Sequence, residues 1–201
     1  MHIAEGVLST PLIVSGCLLS AAGVGIGLKK LEEKNIVKVA IFSSAFFVVS
    51  LLHIPLGVYS AHLTLNGLMG VILGWPVFCS VLIVLFLQTT LFQIGGLTAL
   101  GVNTFNIAVP ALVAFFCFKP FLKRDLLPCW LVGFLIGSLS TLLTLALLSL
   151  SLVTTSKDYY IVAKISVIAN MPVIILEGVV TALLIQFIKK IKPEILDLCG
   201  K

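Results

Sequence analysis

Long apolar runs alternate along this chain with short polar or glycine- and proline-rich segments. Seven runs are predicted to be helices, over residues 7–28, 36–54, 63–73, 77–92, 102–118, 126–153 and 161–188. A helix that crosses the hydrocarbon core of a bilayer needs about 20 mainly apolar residues. The run 63–73 is shorter and is expected to be a short helix within the bundle. The pattern therefore predicts an all-α integral membrane protein, a seven-helix bundle with one short helix.

Two segments interrupt the apolar pattern. Residues 55–62 contain Pro55 and Gly57 and are predicted to form a turn or re-entrant loop that ends at His62. Residues 93–103 combine polar side chains with paired glycines at or near membrane depth. Because non-helical backbone is tolerated there only when protein or a water-filled cavity covers it, the segment 93–103 is expected to be covered.

The composition indicates that the whole chain is embedded in lipid. Of its 201 residues, 60% are hydrophobic and 10% are charged, and the mean hydropathy is +1.22. A soluble domain of this size has no means of burying so much apolar surface. Residues 1–201 are therefore predicted to be a single transmembrane domain. The five cysteines are scattered singly, which indicates neither a disulfide framework nor a thiolate metal site.

The basic residues predict the orientation of the bundle. With seven crossings, eleven of the thirteen lysines and arginines fall on the side of the C-terminus, and only Lys157 and Lys164 fall on the other. By the positive-inside rule, the C-terminus is cytoplasmic and the N-terminus faces outward, in a multi-pass protein of the cell (inner) membrane. The N-terminus, the loop with His62 and the segment 93–103 then share the outer face. The net charge of +5 is a topology signal and does not indicate nucleic-acid binding.

The first two residues offer an unusual set of nitrogen ligands. The amine of Met1 and the amide nitrogen of His2 can close a five-membered chelate ring on a metal ion, and the His2 amide and imidazole a six-membered one. Three nitrogens in a plane suit Ni(II) or Cu(II), and Co(II) less strongly. No cleavable signal peptide is visible, so Met1 is expected to remain at the N-terminus. The alternative is that Met-His is simply how the chain begins.

A fourth ligand has to come from elsewhere, and the chain has two further histidines. His62 starts a predicted helix on the same outer face as His2, so it is the predicted ligand. The alternative for His62 is an imidazole that is hydrogen-bonded at a helix start. His53 lies at the end of an apolar helix and is predicted to be structural.

Other polar residues have two interpretations each. Gln93 and Asn103 would either orient an imidazole through a hydrogen bond or satisfy loop backbone. Glu5 would either neutralise charge near the metal or cap the following helix. Glu177 lies within the last predicted helix, where a carboxylate is costly and is a candidate for function; a packed polar break in the helix is equally compatible.

The first helix carries small residues at four-residue spacing, in the pairs Gly16/Ser20 and Gly23/Gly27. Such rows let two helix backbones approach closely in lipid, and either an internal helix or another subunit could use this one. No nucleophile elbow, phosphate-binding loop or HExxH motif is present. The chain is therefore not predicted to be an enzyme, and energised transport would need another subunit.

Three segments together resemble the CbiM/NikM family: MHIAEG at the start, SAHLTLNGLMGVILG around His62 and GGLTALGVNTFNIAVP around Asn103. These proteins are the metal-binding S components of energy-coupling factor importers for nickel and cobalt. The resemblance covers nearly the whole chain. It implies a seven-helix protein whose N-terminal segment plugs into the core, with the Met1 amine, the His2 amide and imidazole, and the His62 imidazole as ligands. One departure is Ile94, where many relatives have Asp or His.

The resemblance also implies partners and a cargo. A transmembrane T component and two cytoplasmic ATPases would complete the importer. The small-residue row of the first helix is a candidate docking surface for the T component. Any auxiliary small membrane subunit would be a separate chain. Ni(II) or Co(II) would be transported rather than kept as a cofactor. Two alternatives are an intramembrane metalloenzyme, which needs an open coordination position, and a self-sufficient permease, for which an inverted repeat is expected and none is found.

Overall fold

The computed structural model describes residues 2–51, 53–56, 59–124 and 126–196. These residues form eight α-helices, one β-hairpin and two short 3₁₀ turns, at Lys157–Tyr159 and Pro193–Leu196. In chain order the main elements are α1 (Thr10–Lys29), α2 (Glu33–Leu51), β1 (His53–Leu56), β2 (Tyr59–His62), α3 (Asn66–Leu73), α4 (Val77–Phe92), α5 (Leu100–Arg124), α6 (Cys129–Thr155), α7 (Tyr160–Ala169) and α8 (Met171–Ile191).

Five helices, α1, α2, α5, α6 and α8, are long and apolar enough to cross a membrane. The prediction of a multi-pass helical membrane protein is confirmed. Helix α4 has the predicted bounds, 77–92, but its 16 residues make it shorter than a typical span. Helix α5 continues through Pro120 to Arg124, beyond its predicted end at 118. Leu122 is buried there against Val132 and Leu196, and this packing stabilises the added turn.

The predicted last helix, over residues 161–188, is two helices in the structure. Helix α7 ends at Ala169 and is capped by Asn170, whose main-chain N–H and side-chain amide both donate to the Ser166 carbonyl, at 3.1 and 2.8 Å. Pro172 favours the break, because it lacks an N–H and its ring crowds the carbonyl four residues earlier in a continuous helix; it acts here together with the Asn170 cap, since α5 accommodates Pro110 and Pro120. The same proline is tolerated in the first turn of α8, because a main-chain N–H at that position would have no partner within the helix.

The segment around residues 53–62 is a β-hairpin, where the sequence predicts a turn or re-entrant loop. Strands β1 and β2 are antiparallel, and the Cα of His53 is paired with that of His62. Main-chain hydrogen bonds between the strands satisfy polar groups that an irregular loop at this position would leave without partners. The hairpin therefore brings His62 to the start of the next helix with its backbone paired.

Helix α3 lies inside the bundle. Every residue from Asn66 to Ile72 is buried. Gly70 allows this packing: a Cβ on it would stand 2.8 Å from the Cα of Ala111 in α5. The Asn66 amide donates to Thr144 of α6 at 2.8 Å. A short helix is thus held between two spanning helices, directly after His62.

The small-residue row of α1 is covered by the chain's own helices. Gly16, Ser20, Gly23 and Gly27 are the buried residues of α1, and the Ser20 hydroxyl donates to the Gly101 carbonyl of α5 at 2.6 Å. A Cβ on Gly16 would stand 2.9 Å from the Cα of Val102 in α5, and one on Gly27 2.9 Å from the Trp75 carbonyl oxygen. An internal helix therefore uses this groove, and its expected role as a docking surface for a T component is wrong.

Candidate metal site

The segment before α1 lies inside the bundle. His2 and Ile3 have relative exposures of 2% and 0%. Ile3 packs in an apolar cluster with Val102 of α5 and Leu145 and Leu148 of α6. Burying one large aliphatic side chain is worth about 1.5–3 kcal/mol, so Ile3 anchors the segment and holds its neighbour His2 in the interior.

Asn103 clamps the backbone of this segment. The Ile3 N–H donates to the Asn103 side-chain oxygen at 2.9 Å, and the Asn103 side-chain amide donates to the Ile3 carbonyl at 3.0 Å. The pair of bonds resembles one rung of a β-ladder, supplied by a helix residue. Because a buried polar main-chain group without a partner costs several kcal/mol, this clamp is what allows an irregular segment to enter the bundle. Of the two predicted roles of Asn103, its contacts favour satisfying backbone.

The paired glycines make room for the same segment. Gly95 has a φ of +85°, and a Cβ on it would stand 3.5 Å from the Cβ of His2. A Cβ on Gly96 would stand 2.7 Å from the Cα of Glu5. Gly95 and Gly96 therefore form the surface on which residues 2–5 lie. Gly95 also needs the conformational freedom of glycine, because its φ is positive.

Glu5 fastens the outer end of the segment. Its carboxylate accepts hydrogen bonds from the Thr98 N–H, at 3.3 Å, and from the Thr98 hydroxyl. Both groups are exposed to solvent, so this contact contributes less than the buried clamp at Asn103. Local sequence patterns do not identify Thr98 as a partner of Glu5, because the two residues are 93 positions apart in the chain.

Two imidazoles meet where the segment passes the hairpin. The ring centres of His2 and His62 are 4.5 Å apart, and the planes are inclined by 30°. His62 has a relative exposure of 3%, so both rings are shielded from solvent. Met1, with the predicted amine ligand, lies outside the described residues, as does the side chain of His53.

The local contacts of His62 determine its protonation. Its Nδ1 lies 2.8 Å from the Leu63 carbonyl, which can only accept, so Nδ1 carries the proton and Nε2 presents the lone pair. Burial lowers the pKa of His62 from 6.5 to about 4, and the hydrogen bond to Leu63 opposes part of that change. The imidazole is therefore neutral near pH 7, the form that binds metals.

Glu177 of α8 holds the three-residue link between His62 and α3. Its carboxylate accepts from the Thr64 N–H at 3.1 Å, from the Thr64 hydroxyl at 3.0 Å and from the Leu65 N–H. Leu65 has a φ of +50°, an uncommon conformation for a non-glycine residue that local contacts must maintain. Glu177 and Thr64 are fully buried. Glu177 thus positions the loop after His62 from α8.

The remaining predicted residue, Gln93, is not at the site. It is exposed and ends α4 in a left-handed conformation, with a φ of +56° and its N–H bonded to the Thr89 carbonyl at 3.2 Å. Within the described part of the chain, no group of three or more His, Cys, Asp or Glu side chains could hold a metal ion. From the described residues alone, any metal bound by His2 and His62 would need further ligands of another kind, such as main-chain nitrogens.

Known proteins share both the sequence and the fold. A family model described as CbiM, cobalt uptake substrate-specific transmembrane region, matches residues 2–195. A "Putative metal transport protein" of Haemophilus influenzae is 37% identical over 200 residues, 98% of this chain and 97% of that one. The "Cobalt transport protein CbiM" of Thermosipho melanesiensis is 36% identical over 207 residues, 94% of this chain and 87% of that one. A crystal structure of a transition metal transporter has a TM-score of 0.84 at 23% identity, covering 98% of this chain and 96% of that chain.

Asn103→Ala should release the N-terminal segment without unfolding the bundle. The change leaves the Ile3 N–H and carbonyl without their partner, at a cost of about 1–3 kcal/mol for each buried group. We expect faster amide hydrogen exchange in residues 2–8, measured by mass spectrometry in detergent. Asn106→Ala is the matched control, because Asn106 lies one turn along α5 and bonds Ser151 instead. Equal exchange in both variants would contradict the role of Asn103.

Burial of His62 should make the metal-free fold sensitive to acid. Between pH 6.5 and about 4 the unfolded chain binds a proton at His62 that the folded chain does not. Stability is fully present above that window and falls within it by about 1.4 kcal/mol per pH unit. Thermal unfolding in detergent near pH 7 and near pH 5 measures the loss, which should be smaller in His62→Gln. If both proteins lose the same amount, His62 is not the group responsible.

Proposed function

The chain belongs to the CbiM family, whose model describes a cobalt uptake substrate-specific transmembrane region, and we propose that it is the metal-capturing subunit of an importer for Ni(II) or Co(II). Four nitrogens would bind the ion: the Met1 amine, the His2 amide and imidazole, and the His62 imidazole. The observation that carries the proposal is the burial of His2 beside His62, at a ring separation of 4.5 Å.

The ring separation supports a square arrangement of ligands. With metal–nitrogen bonds of about 2 Å, an imidazole centre would lie about 3 Å from the ion. Two imidazoles on adjacent corners of a square would then be roughly 4.5 Å apart. The three nitrogens of Met1 and His2 would occupy consecutive corners, which leaves the fourth corner, next to the His2 ring, for His62. His62 needs no deprotonation near neutral pH, because its folded-state pKa is about 4.

The choice between nickel and cobalt depends on the backbone ligand. A metal-bound amide nitrogen must lose its proton, which Ni(II) drives more readily than Co(II) and Zn(II) hardly at all. Affinity also rises from cobalt to nickel for a given set of ligands. A relative from Thermosipho melanesiensis is named a cobalt transport protein, so both ions are candidates for this chain. Binding would release protons and weaken as the pH falls.

Transport requires partners that this chain does not encode. The sequence has no phosphate-binding loop, so ATP hydrolysis would take place on two cytoplasmic ATPase subunits, coupled through a transmembrane T component. The site would face outward at the ends of the helices opposite the lysine-rich ends. Tilting of the subunit in the membrane would then carry the ion inward.

A site closed by four nitrogens favours capture over catalysis. A metalloenzyme needs an open coordination position and a nearby general base. Two carboxylates help to position the segments that carry the histidines, and both are engaged in hydrogen bonds. Glu5 accepts from Thr98, and Glu177 accepts from Thr64. No observation favours a metalloenzyme or a self-sufficient permease over the capture subunit.

His62→Ala should remove most nickel binding, whereas His53→Ala should keep most of it. Among the described side chains, the His62 imidazole lies beside His2, and loss of one of four ligands is expected to weaken binding at least tenfold. Calorimetric titration of Ni(II) into the purified protein in detergent measures both variants. Thermal unfolding of the metal-free variants checks that each still folds. Equal losses would mean that His53 also binds the ion, and undiminished binding by His62→Ala would refute the site.

A further inference from the structure

The structure has a large basic cleft at the end of the bundle away from the two histidines. It has a volume of about 660 Å³ and is lined where α1 ends, α2 begins, α3 turns into α4, α5 ends and the chain leaves α8. The metal site lies at the opposite ends of α1 and α5, near residues 2–5 and Asn103. The cleft is therefore separate from the proposed site of metal capture.

Lysines from four separate segments converge on the cleft: Lys30, Lys34, Lys38, Lys119 and Lys192. Two glutamates also line it, and one of them, Glu32, forms an exposed ion pair with Lys34 at 2.7 Å. The positive-inside rule accounts for lysines on this side of the membrane. It does not account for their arrangement around a single concavity, where the positive charges exceed the negative ones and the potential is focused.

Aromatic side chains form part of the wall of the cleft, beside the lysines. The Lys30 ammonium lies 5.3 Å from the ring centre of Trp75, and the Lys119 ammonium lies 4.7 Å from that of Phe115. Phe116, also in the lining, is 56% exposed on the outside of α5. Cationic tips above aromatic rings, beside an exposed apolar helix face, are typical of the boundary between headgroups and acyl chains.

We propose that this cleft binds the headgroup of an anionic phospholipid from the leaflet on the C-terminal side. The phosphate would lie among the lysine ammonium groups, and the acyl chains would run along the exposed face of α5 beside Phe116. Basic pockets between helix ends at the cytoplasmic surface bind such headgroups. An acidic segment of a partner protein would match the charge but would leave the apolar rim of the cleft facing lipid, so the lipid is favoured.

The test uses the whole chain in detergent with short-chain phosphatidylglycerol and, as the neutral comparison, phosphatidylcholine with the same acyl chains. Native mass spectrometry and lipid-dependent thermal stabilisation measure binding. We expect phosphatidylglycerol to bind at least tenfold more tightly than phosphatidylcholine. Lys38→Gln/Lys119→Gln should lose that preference, whereas the charge-matched control Lys157→Gln/Lys164→Gln, at the other end of the bundle, should keep it.

Several results would overturn the proposal. These are equal binding of the two lipids, equal loss in both double variants, displacement of the lipid by millimolar inorganic phosphate, and preferential binding of an acidic peptide such as oligoglutamate. Thermal unfolding of the lipid-free proteins checks that the variants fold. If Lys38→Gln/Lys119→Gln does not fold, Lys30→Gln/Lys192→Gln tests the same cleft through two exposed lysines. Retained lipid preference in that variant would also contradict the proposal.

Discussion

The need to satisfy main-chain polar groups inside a membrane protein governs this structure. Helices satisfy their own backbone, but residues 2–5 form no helix and still lie within the bundle. They can do so because Asn103 bonds both polar groups of Ile3 and because Gly96 lets the backbone of Glu5 approach. The burial of His2, and with it every property proposed for the metal site, depends on these contacts.

The same constraint is met differently around the second imidazole. Strand pairing satisfies the backbone that leads to His62, and the Glu177 carboxylate receives the N–H groups of Thr64 and Leu65 just after it. One histidine is thus positioned from α5 and the other from α8, so the ring separation depends on how these two helices pack around α6. A movement of either helix would be transmitted directly to the proposed ligands.

Much of the architecture could be predicted from local sequence. Apolar runs predicted the spanning helices, and chelate chemistry with charge bias predicted that His2 and His62 share one end of the bundle. The hairpin at 53–62 was not predicted, because Pro55 and Gly57 indicate a turn without specifying strand pairing around it. A packed polar break in the last predicted helix was one of two open interpretations, but the nearly continuous apolar run did not show that one helix ends at Ala169 and another begins at Met171. The contact between Asn103 and Ile3 spans 100 positions, which no local pattern reveals, so only its two possible roles could be stated.

The central claim is that the chain's own N-terminal amine completes a nitrogen site with His2 and His62. Its most direct test is nickel titration of the native chain and of a chain with one glycine added before Met1, both in detergent and both followed by visible absorption. The account predicts tight binding and the band of a square, four-nitrogen nickel centre for the native chain only, with the thermal stability of the metal-free proteins unchanged. Equally tight binding and the same spectrum from the extended chain would contradict it.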